Sequence, residues 1–346
     1  MTRILQTTFY PPAPTMNHLA PHRVIYDTDP GVDDAMALYY ALAHPDIEVV
    51  GVTTTFGNVT VEQAACNALY LLAIAGRGQI PVTQGVAAPL VKASEAPPDH
   101  IHGADGLGNL PQRVATHNQL DARTSAQFIV DMARQHPGEI TVVAVGPLGN
   151  LALALAIEPA LPQLLRQVII MGGAVLEPGN VSPVAEANIW NDPHAADIVF
   201  TAGFDLTMVG LDVTHQVILP VHLFAQIAQH RQHLATDTLH HAVAFYANFY
   251  SGLYPHVAEI HGCFGHDVLA FVALTNPELF STATGRVRVT VDGLAQGQTM
   301  LRRKDIAYPQ SGWGPEVPDT QVCMQVQAQA CKDLIERTLM ADWLGV

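Results

Sequence analysis

The stretch "RVIYDTDPGVDDAMALYYALAHP", residues 23–45, joins a short apolar run, an acidic turn and a longer apolar segment. The run "RVIY" is typical of a buried strand, and "DAMALYYALAHP" predicts a helix that begins inside the acidic turn. Pro30 and Gly31 lie between the two and favour a tight turn. A strand followed at once by a helix predicts a βα unit.

The same alternation continues through the first two thirds of the chain. It predicts strands at 47–55, 80–85, 139–146, 167–173 and 205–212, and helices at 60–75, 123–135, 149–158 and 193–202. Continuous β-branched runs separated by helices indicate a mostly parallel sheet with helices on both faces. The predicted fold class is therefore α/β, with a Rossmann-like open sheet.

The C-terminal third follows a different pattern. From about residue 215 the sequence is mostly helical, with a predicted strand pair at 286–304 and a last helix at 322–343. Because 23–346 contains no convincing linker or repeat, we predict a single domain there. Residues 1–22 hold two proline-containing patches and no unbroken apolar run, and so we interpret them as a flexible lead-in rather than a secretory signal.

Composition excludes several classes of function. The 346 residues include 31 acidic and 16 basic side chains, a formal net charge of −15, with no basic cluster. This charge argues against a nucleic-acid or anionic-membrane surface and favours a neutral small molecule or a cation as the ligand. No apolar run reaches membrane-spanning length. The four cysteines show no metal-type CxxC pairing, which favours reduced thiols and a cytoplasmic location.

The acidic turn, residues 27–34, places four carboxylates in eight positions: Asp27, Asp29, Asp33 and Asp34. Capping of the following helix explains one or two of them. A hard divalent cation explains all four, because Ca²⁺ and Mg²⁺ prefer several oxygen ligands. We therefore predict a metal ion at this turn.

Other polar segments follow the predicted strands in the same way. They are "TTFGN" after the second strand, "VGPLGN" after "TVVA" and "GGAVLEPGN" after "VIIM". Ligands of open α/β sheets bind beyond the carboxyl ends of the strands, and so these segments predict one shared site. The segment "GHDVLAF" adds His266 and Asp267 before another apolar helix; taken alone, they are better explained as an exposed loop residue and an ordinary helix start.

Four motifs together resemble a known family. "DTDPGVDDA", "HGADGLGN", "VAEANIWNDPHAA" and "GHDVLAF", in this order and spacing, are similar to the inosine–uridine-preferring nucleoside hydrolases. The similarity runs from about Arg23 to the C-terminal helix. It implies a Ca²⁺-dependent N-ribohydrolase, active on uridine or inosine, that forms a homodimer or homotetramer.

The resemblance also implies roles for individual residues. Asp29, Asp34 and Asp267 would bind Ca²⁺ through side-chain oxygens, and Val145 through its carbonyl. Asp27 would support the metal site or contact ribose, and Asn58 would orient the carboxylates. The residues implied to contact substrate are Asp33, Asn180, Glu186 and Asn188 at the ribose, and His102, Tyr250 and Tyr254 at the base. A turn for Asn180, a solvated loop for His102 and core packing for the stripe of Tyr246, Tyr250 and Tyr254 are the competing interpretations.

Cleavage of the bond between ribose and base needs an activated water, an anionic environment for the sugar and an acid for the base. By the resemblance, Asp29 would be the general base and His266 the acid, and Asp33 would be a third catalytic residue through its contact with a ribose hydroxyl. Purine-specific relatives sandwich the base between tryptophans, and none of the three tryptophans here lies beside "GHD". This favours a pyrimidine-preferring or nonspecific enzyme, although the segment 256–265 departs from the family pattern.

Two other functions fit part of the same pattern. A haloacid-dehalogenase-like phosphatase also carries an Asp-x-Asp turn after its first strand, but it needs a later lysine, and this chain has only Lys92, Lys304 and Lys332. A non-catalytic, Ca²⁺-dependent nucleoside- or ribose-binding protein would keep the pocket without turnover. Activity measurements distinguish this second alternative from a hydrolase.

Overall fold

The computed structural model describes residues 20–304, 306, 308–309 and 312–344, and most of the predicted lead-in at 1–22 lies outside these residues. The strands are β1 (His22–Thr28), β2 (Ile47–Thr54), β3 (Val82–Gln84), β4 (Ile140–Ala144), β5 (Gln167–Met171), β6 (Leu206–Val209), β7 (Ile218–Pro220), β8 (Gly262–Phe264), β9 (Phe280–Val289), β10 (Thr299–Arg302) and β11 (Asp319–Val326).

The helices alternate with these strands in the first two thirds of the chain, as predicted. They are α1 (Val32–Ala43), α2 (Val61–Ile74), α3 (Asp99–His102), α4 (Ser125–Gln135), α5 (Gly149–Ile157), α6 (Leu161–Leu164), α7 (Ala187–Asn191), α8 (Pro193–Thr201), α9 (Leu211–Thr214), α10 (Val221–Arg231), α11 (Leu234–Leu253), α12 (Pro255–Ile260), α13 (Val268–Thr275) and α14 (Ala328–Met340). Within the described ranges, none of them is both long and apolar enough to span a membrane.

Nine strands form one sheet in the order β10-β9-β11-β6-β5-β4-β1-β2-β3. The strands from β11 to β3 in this order are parallel, and β9 pairs antiparallel with both β11 and β10. The predicted mostly parallel α/β fold is thus confirmed. Strand β1 lies between β2 and β4, so the chain leaves it first to one side and later to the other. A crevice forms at such a switch point, beyond the carboxyl ends of the strands.

Helices cover both faces of the sheet and form two apolar cores. Side chains of a strand alternate between the faces, and β1 shows this directly. Val24 and Tyr26 belong to the larger core, with residues of α1, α11, α13 and α14. Ile25 belongs to the smaller core, with residues of α4, α5 and α8. Burial of β1 on both faces fixes the position of the acidic turn that follows it.

The C-terminal prediction was partly wrong. The strand pair predicted at 286–304 is confirmed as β9 and β10. The helix predicted at 322–343 begins only at Ala328, because residues before it form β11 between β6 and β9. Val322 and Cys323 are buried there, and strand pairing outweighs local helix preference. The antiparallel pair of β7 and β8 was also not predicted.

Candidate functional site

A cavity of about 330 Å³ opens at the carboxyl ends of the central strands. It brings together residues that are far apart in sequence. The predicted site residues that line it are Asp33, Asn58, His102, Val145, Asn180, Glu186, Asn188, Tyr250, His266 and Asp267. Asp29 and Asp34 lie beneath this lining, whereas Tyr254 packs outside it, against the ring of Phe264 at 5.2 Å between centroids.

The floor of the cavity is an acidic cluster that we define as Asp29, Asp33, Asp34 and Asp267. All four side chains are buried. Oxygens of Asp33, Asp34 and Asp267 lie within 4.8 Å of one another, close enough to hold one metal ion. This trio differs from the predicted side-chain ligands, because it includes Asp33 and not Asp29. Asp29 is nevertheless adjacent, because its backbone N–H donates to Asp34 Oδ1 at 3.2 Å.

Asp34 is held by four donors. The Thr28 hydroxyl and the backbone N–H of Asp29 donate to Oδ1, and the backbone N–H of Gly31 and the amide of Asn58 donate to Oδ2, both at 2.9 Å. Such bonds stabilise an ionised carboxylate. Asn58 also donates its backbone N–H to Asp29 Oδ2 at 2.6 Å. Asn58 therefore contacts two members of the acidic cluster.

The acidic cluster is electrostatically costly without a cation. Burial raises the pKa of Asp33 to about 7 and the pKa of Asp34 above its usual range. Burial and the neighbouring carboxylates raise the pKa values of Asp29 and Asp267 further. Asp29 Oδ1 and Asp33 Oδ1 are buried and have no hydrogen-bond partner among the described residues. A set of buried carboxylates with two such oxygens fits a hard, oxygen-seeking cation.

Two glycines leave room for Asp29. A Cβ at Gly146 would lie 2.5 Å from Asp29 Oδ1, and one at Gly57 would overlap Asp29 Oδ2. Asp27 has a different setting, because its Oδ1 accepts from Thr53 Oγ1 at 2.8 Å and from Asn150 Nδ2 at 2.7 Å. Burial raises the pKa of Asp27 to about 7. The Asp27 side chain thus bonds to β2 and α5, and it does not line the cavity.

The segment predicted to hold ribose, which contains Asn180, Glu186 and Asn188, forms one wall of the cavity. Glu186 caps α7, and Asn188 lies in the first turn of that helix. The Glu186 carboxylate accepts from the backbone N–H groups of Gly173, Asn188 and Ile189 at 2.9–3.2 Å. Both side chains line the cavity.

Asn188 also contacts a predicted metal ligand. Its amide donates to the carbonyl of Val145 at 2.6 Å and to that of Met171 at 3.1 Å. Asn180 Oδ1 accepts from the backbone N–H of Ala187 at 2.9 Å, so Asn180 both lines the cavity and stabilises its own loop. Trp190 lines the same wall, a position that its sequence distance from "GHD" did not indicate.

His102 ends α3 and is buried, not solvated. Its Nδ1 accepts from the backbone N–H of Val32 at 3.2 Å, and burial lowers its pKa to about 3. His102 is therefore neutral, with its proton on Nε2. A Cβ at Gly31 would lie 2.5 Å from Nδ1, and so the "PG" turn leaves room for this ring.

His266 also lines the cavity, and its ring makes two hydrogen bonds. Nδ1 lies 2.8 Å from Thr214 Oγ1, and Nε2 lies 3.0 Å from the hydroxyl of Tyr250. The Tyr250 hydroxyl is 3.1 Å from that of Tyr246, which donates to Asp33 Oδ2 at 2.9 Å. Tyr246 and Tyr250 thus combine core packing with polar contacts at the cavity.

Sequence reasoning missed Tyr246 and Thr214 as site residues. Tyr246 had a signal, since it lies one helical turn before Tyr250 in α11. Thr214 had none, because it ends the short helix α9 and touches the cavity only through His266.

Comparison with known proteins agrees with this geometry. The family model described as "Inosine-uridine preferring nucleoside hydrolase" matches residues 24–333. A probable uridine nucleosidase 2 of Arabidopsis thaliana is 39% identical over 92% of this chain and 97% of its own length. Among solved structures, the plant nucleoside hydrolase PpNRh1 matches with a TM-score of 0.87 and 38% identity, covering 93% of this chain and all (100%) of its own.

A purine-preferring ribonucleoside hydrolase from Gardnerella vaginalis has a TM-score of 0.84 and 31% identity, over 92% of this chain and 98% of its own. The family match at residues 24–333 includes the acidic turn and every strand from β2 to β11. These matches favour the predicted hydrolase over the phosphatase alternative. The chain belongs to the inosine–uridine-preferring nucleoside hydrolase family, whose enzymes hydrolyse the N-glycosidic bond of ribonucleosides.

Proposed function

We propose that this chain is a Ca²⁺-dependent N-ribohydrolase that releases the free base and ribose from ribonucleosides. The observation that carries the metal dependence is the acidic cluster, with its two buried carboxylate oxygens that lack a partner among the described residues. All the candidate ligand atoms are oxygens. Oxygen ligands suit Ca²⁺ better than they suit transition metals, which favour nitrogen and sulfur. A bound Ca²⁺ would neutralise the carboxylates, help to hold ribose hydroxyls and acidify a water molecule.

The proposed ligands are Asp29, Asp34, Asp267 and the Val145 carbonyl, with Asp33 either a further ligand or a ribose contact. Asp29 is our proposed general base. Its Oδ2 accepts from the Asn58 N–H. Its buried Oδ1 has no hydrogen-bond partner among the described residues and can therefore accept a proton. The negative charge of Asp33 and Glu186 would stabilise the positive charge that develops on the ribose ring.

Asn180, Glu186 and Asn188 are proposed to bind the ribose. They line one wall of the cavity, and the backbone bonds of Glu186 hold its carboxylate in place for ribose hydroxyls. No lysine or arginine of the described part of the chain lines the cavity. Such a site suits a neutral nucleoside better than a phosphorylated one.

His266 is the proposed acid, with His102 and Tyr250 as further contacts of the base. Burial lowers the pKa of His266, so that in the substrate-free protein the imidazole is neutral and carries one N–H proton. An N–H donor beside the departing base would stabilise the negative charge that develops there. Tyr254 is proposed to support this wall from behind, since it packs on Phe264.

We propose a pyrimidine-preferring or nonspecific enzyme, with uridine and inosine as substrates. The wall near His266 is built from hydroxyl and imidazole groups, which can bond the edges of either kind of base. The name of the Arabidopsis relative points to uridine, whereas that of the Gardnerella structure points to purines. A cytoplasmic location, a homodimer or homotetramer and a single domain over 23–346 stay predictions.

The decisive experiment measures reducing-sugar release from uridine, cytidine, inosine and adenosine, with and without EGTA. We expect release that EGTA abolishes and Ca²⁺ restores, and the four rates would rank the bases. Asp267→Asn should abolish release, whereas Glu336→Gln, on the exposed face of α14, serves as the matched control. Nucleoside binding to the Ca²⁺-loaded protein without any ribose release would instead support the non-catalytic alternative.

A further inference from the structure

A line of four hydrogen bonds connects the acidic cluster to α9 through the wall of the cavity. It runs from Asp33 through Tyr246, Tyr250 and His266 to Thr214, with distances of 2.9, 3.1, 3.0 and 2.8 Å. All five side chains are buried, and Thr214 is completely inaccessible to solvent. Thr214 is thus shielded from bulk water, whereas the other four side chains line the cavity.

With Asp33 as an ionised acceptor and His266 as a neutral imidazole, counting the protons fixes the direction of each bond. The Tyr246 hydroxyl has a single proton, with which it donates a hydrogen bond to Asp33 Oδ2. It must therefore accept the hydrogen bond from the Tyr250 hydroxyl. Because the Tyr250 hydroxyl donates its one proton to Tyr246, it must accept the hydrogen bond from Nε2–H of His266. A neutral imidazole with its proton on Nε2 has an unprotonated Nδ1, which accepts from the Thr214 hydroxyl.

The two nitrogens of His266 face different surroundings. Tyr246, Tyr250 and His266 line the cavity, whereas Thr214 lies behind the ring at the end of α9. Nε2 is therefore the nitrogen on the side of the cavity, and Nδ1 is the nitrogen on the side of the protein. Only the tautomer with its proton on Nε2 offers a donor to a base in the cavity.

We propose that Thr214 and Tyr246 are positioning residues that hold His266 in the tautomer with its proton on Nε2, directed into the cavity. This inference rests on the proposed role of His266 as the acid for the departing base. In the substrate-free protein the Tyr250 hydroxyl accepts the hydrogen bond from Nε2–H of His266. A base that binds beside Tyr250 would take over this bond. Neither positioning residue needs to touch the base.

Two ends of the line act on the imidazole differently. Thr214 acts directly, because its hydroxyl donates to Nδ1 and disfavours a proton there. Tyr246 acts through Tyr250: without its hydroxyl, Tyr250 loses its acceptor and can turn its own proton towards Nε2, which favours the opposite tautomer. The proposal thus predicts the same change in His266 from two substitutions in different elements, α9 and α11.

The direct test is NMR of the full-length, Ca²⁺-loaded protein with ¹⁵N- and ¹³C-labelled histidine. The ring shifts of His266, assigned with His266→Gln, should report the Nε2–H tautomer in the wild type. Thr214→Val and Tyr246→Phe should each increase the Nδ1–H form. Thr214→Ser keeps the hydroxyl and should retain the wild-type tautomer. A wild-type spectrum with the proton on Nδ1 would overturn the proposal whether or not the variants fold.

Kinetics with two leaving groups complete the test. Thr214→Val should lower kcat for uridine at least about tenfold, since general acids contribute factors of this size or more. It should have far less effect on p-nitrophenyl β-D-ribofuranoside, whose leaving group departs without protonation, and Thr214→Ser should restore uridine cleavage. Equal losses on both substrates would contradict a role in positioning the acid. Wild-type protein that cleaves neither substrate would instead contradict the proposed function itself.

Discussion

At the scale of single residues, the site depends on close approaches that only a small side chain permits. A Cβ at Gly31 would lie 2.5 Å from His102 Nδ1 and 3.0 Å from Asn58 Nδ2. Gly31→Ala should therefore displace the His102 ring, break its bond to Val32 and lower kcat/KM for uridine about tenfold or more. Steady-state kinetics on uridine measure this change.

The matched control is Gly252→Ala in the last turn of α11. A Cβ there would meet no atom within 4 Å, and alanine favours a helix over glycine by about 1 kcal/mol. Gly252→Ala should keep the wild-type kcat/KM with equal or higher stability. Identical kinetics for Gly31→Ala and the wild type would show that His102 tolerates displacement.

Asp27 gives a prediction for the pH dependence of stability. Burial raises its pKa from 3.8 to about 7 in the folded chain, so the folded state binds the proton more tightly than the unfolded state does. Its contribution to the free energy of unfolding is present below about pH 4 and is lost as the pH rises towards 7. Asp27→Asn cannot lose a proton, while its Oδ1 can still accept from Thr53 and Asn150.

The stability of Asp27→Asn relative to the wild type should therefore rise from pH 5 to pH 8, by about 2 kcal/mol or more. Urea unfolding in excess chelator at both pH values measures the difference. Asp121→Asn is the control, because hydrogen bonds from Arg123 lower the pKa of Asp121 to about 2, outside this range. A difference for Asp27→Asn that does not vary with pH would mean that Asp27 titrates alike in both states.

At the scale of secondary-structure elements, the sequence predicts the parallel strands from β6 to β3 and the β9–β10 pair, but it misses β11 between them. Strands such as β1 and β4 are buried on both faces and read as continuous apolar runs. Strand β11 has a mixed pattern, because its alternate residues reach solvent, and its neighbours β6 and β9 are distant in sequence. Its pairing is a tertiary choice that local periodicity does not reveal.

One side chain of α2 connects the acidic turn with the loop that follows α3. The Asn67 amide donates to the carbonyls of Pro30 and Asp105 at 2.8 and 2.9 Å, and its oxygen accepts from Arg113 at 2.8 Å. Asn67→Ala would remove all three bonds, at a cost of about 3 kcal/mol in the free energy of unfolding.

Urea unfolding at neutral pH measures the cost of Asn67→Ala. Gln63→Ala provides the control: Gln63 is only half-buried and contributes one further bond to the Asn67 oxygen, so its loss should cost less than about 1 kcal/mol. Equal costs for the two variants would contradict the idea that Asn67 joins the turn to the loop.

At the scale of the whole molecule, the site draws on segments from residue 29 to residue 267. The motifs predicted which segments meet, because carboxyl ends of parallel strands share one edge of the sheet. They could not predict the individual bonds. Asp33 joins the carboxylate trio, Asn188 bonds the Val145 carbonyl, and Thr214 reaches His266 only after the chain has folded. Such contacts depend on side-chain directions that no spacing encodes.

The convergence of four buried carboxylates leads us to expect that a bound cation stabilises the fold. A ligand that binds only the folded state stabilises it by about 2.7 kcal/mol at a concentration 100 times its Kd. Ca²⁺ should therefore raise the Tm of the chelator-treated protein by several degrees, and more at pH 8 than at pH 5, because protons compete for the raised-pKa carboxylates of Asp33 and Asp267.

Differential scanning calorimetry over a series of Ca²⁺ concentrations at both pH values measures this increase in Tm. Asp267→Asn should have a higher Tm than the wild type in chelator, since one repelling charge is removed, and should lose most of the response to Ca²⁺. Asp333→Asn, on the exposed surface of α14, should keep the full response. An equal response in Asp267→Asn and the wild type would place the bound ion elsewhere and separate the acidic cluster from Ca²⁺.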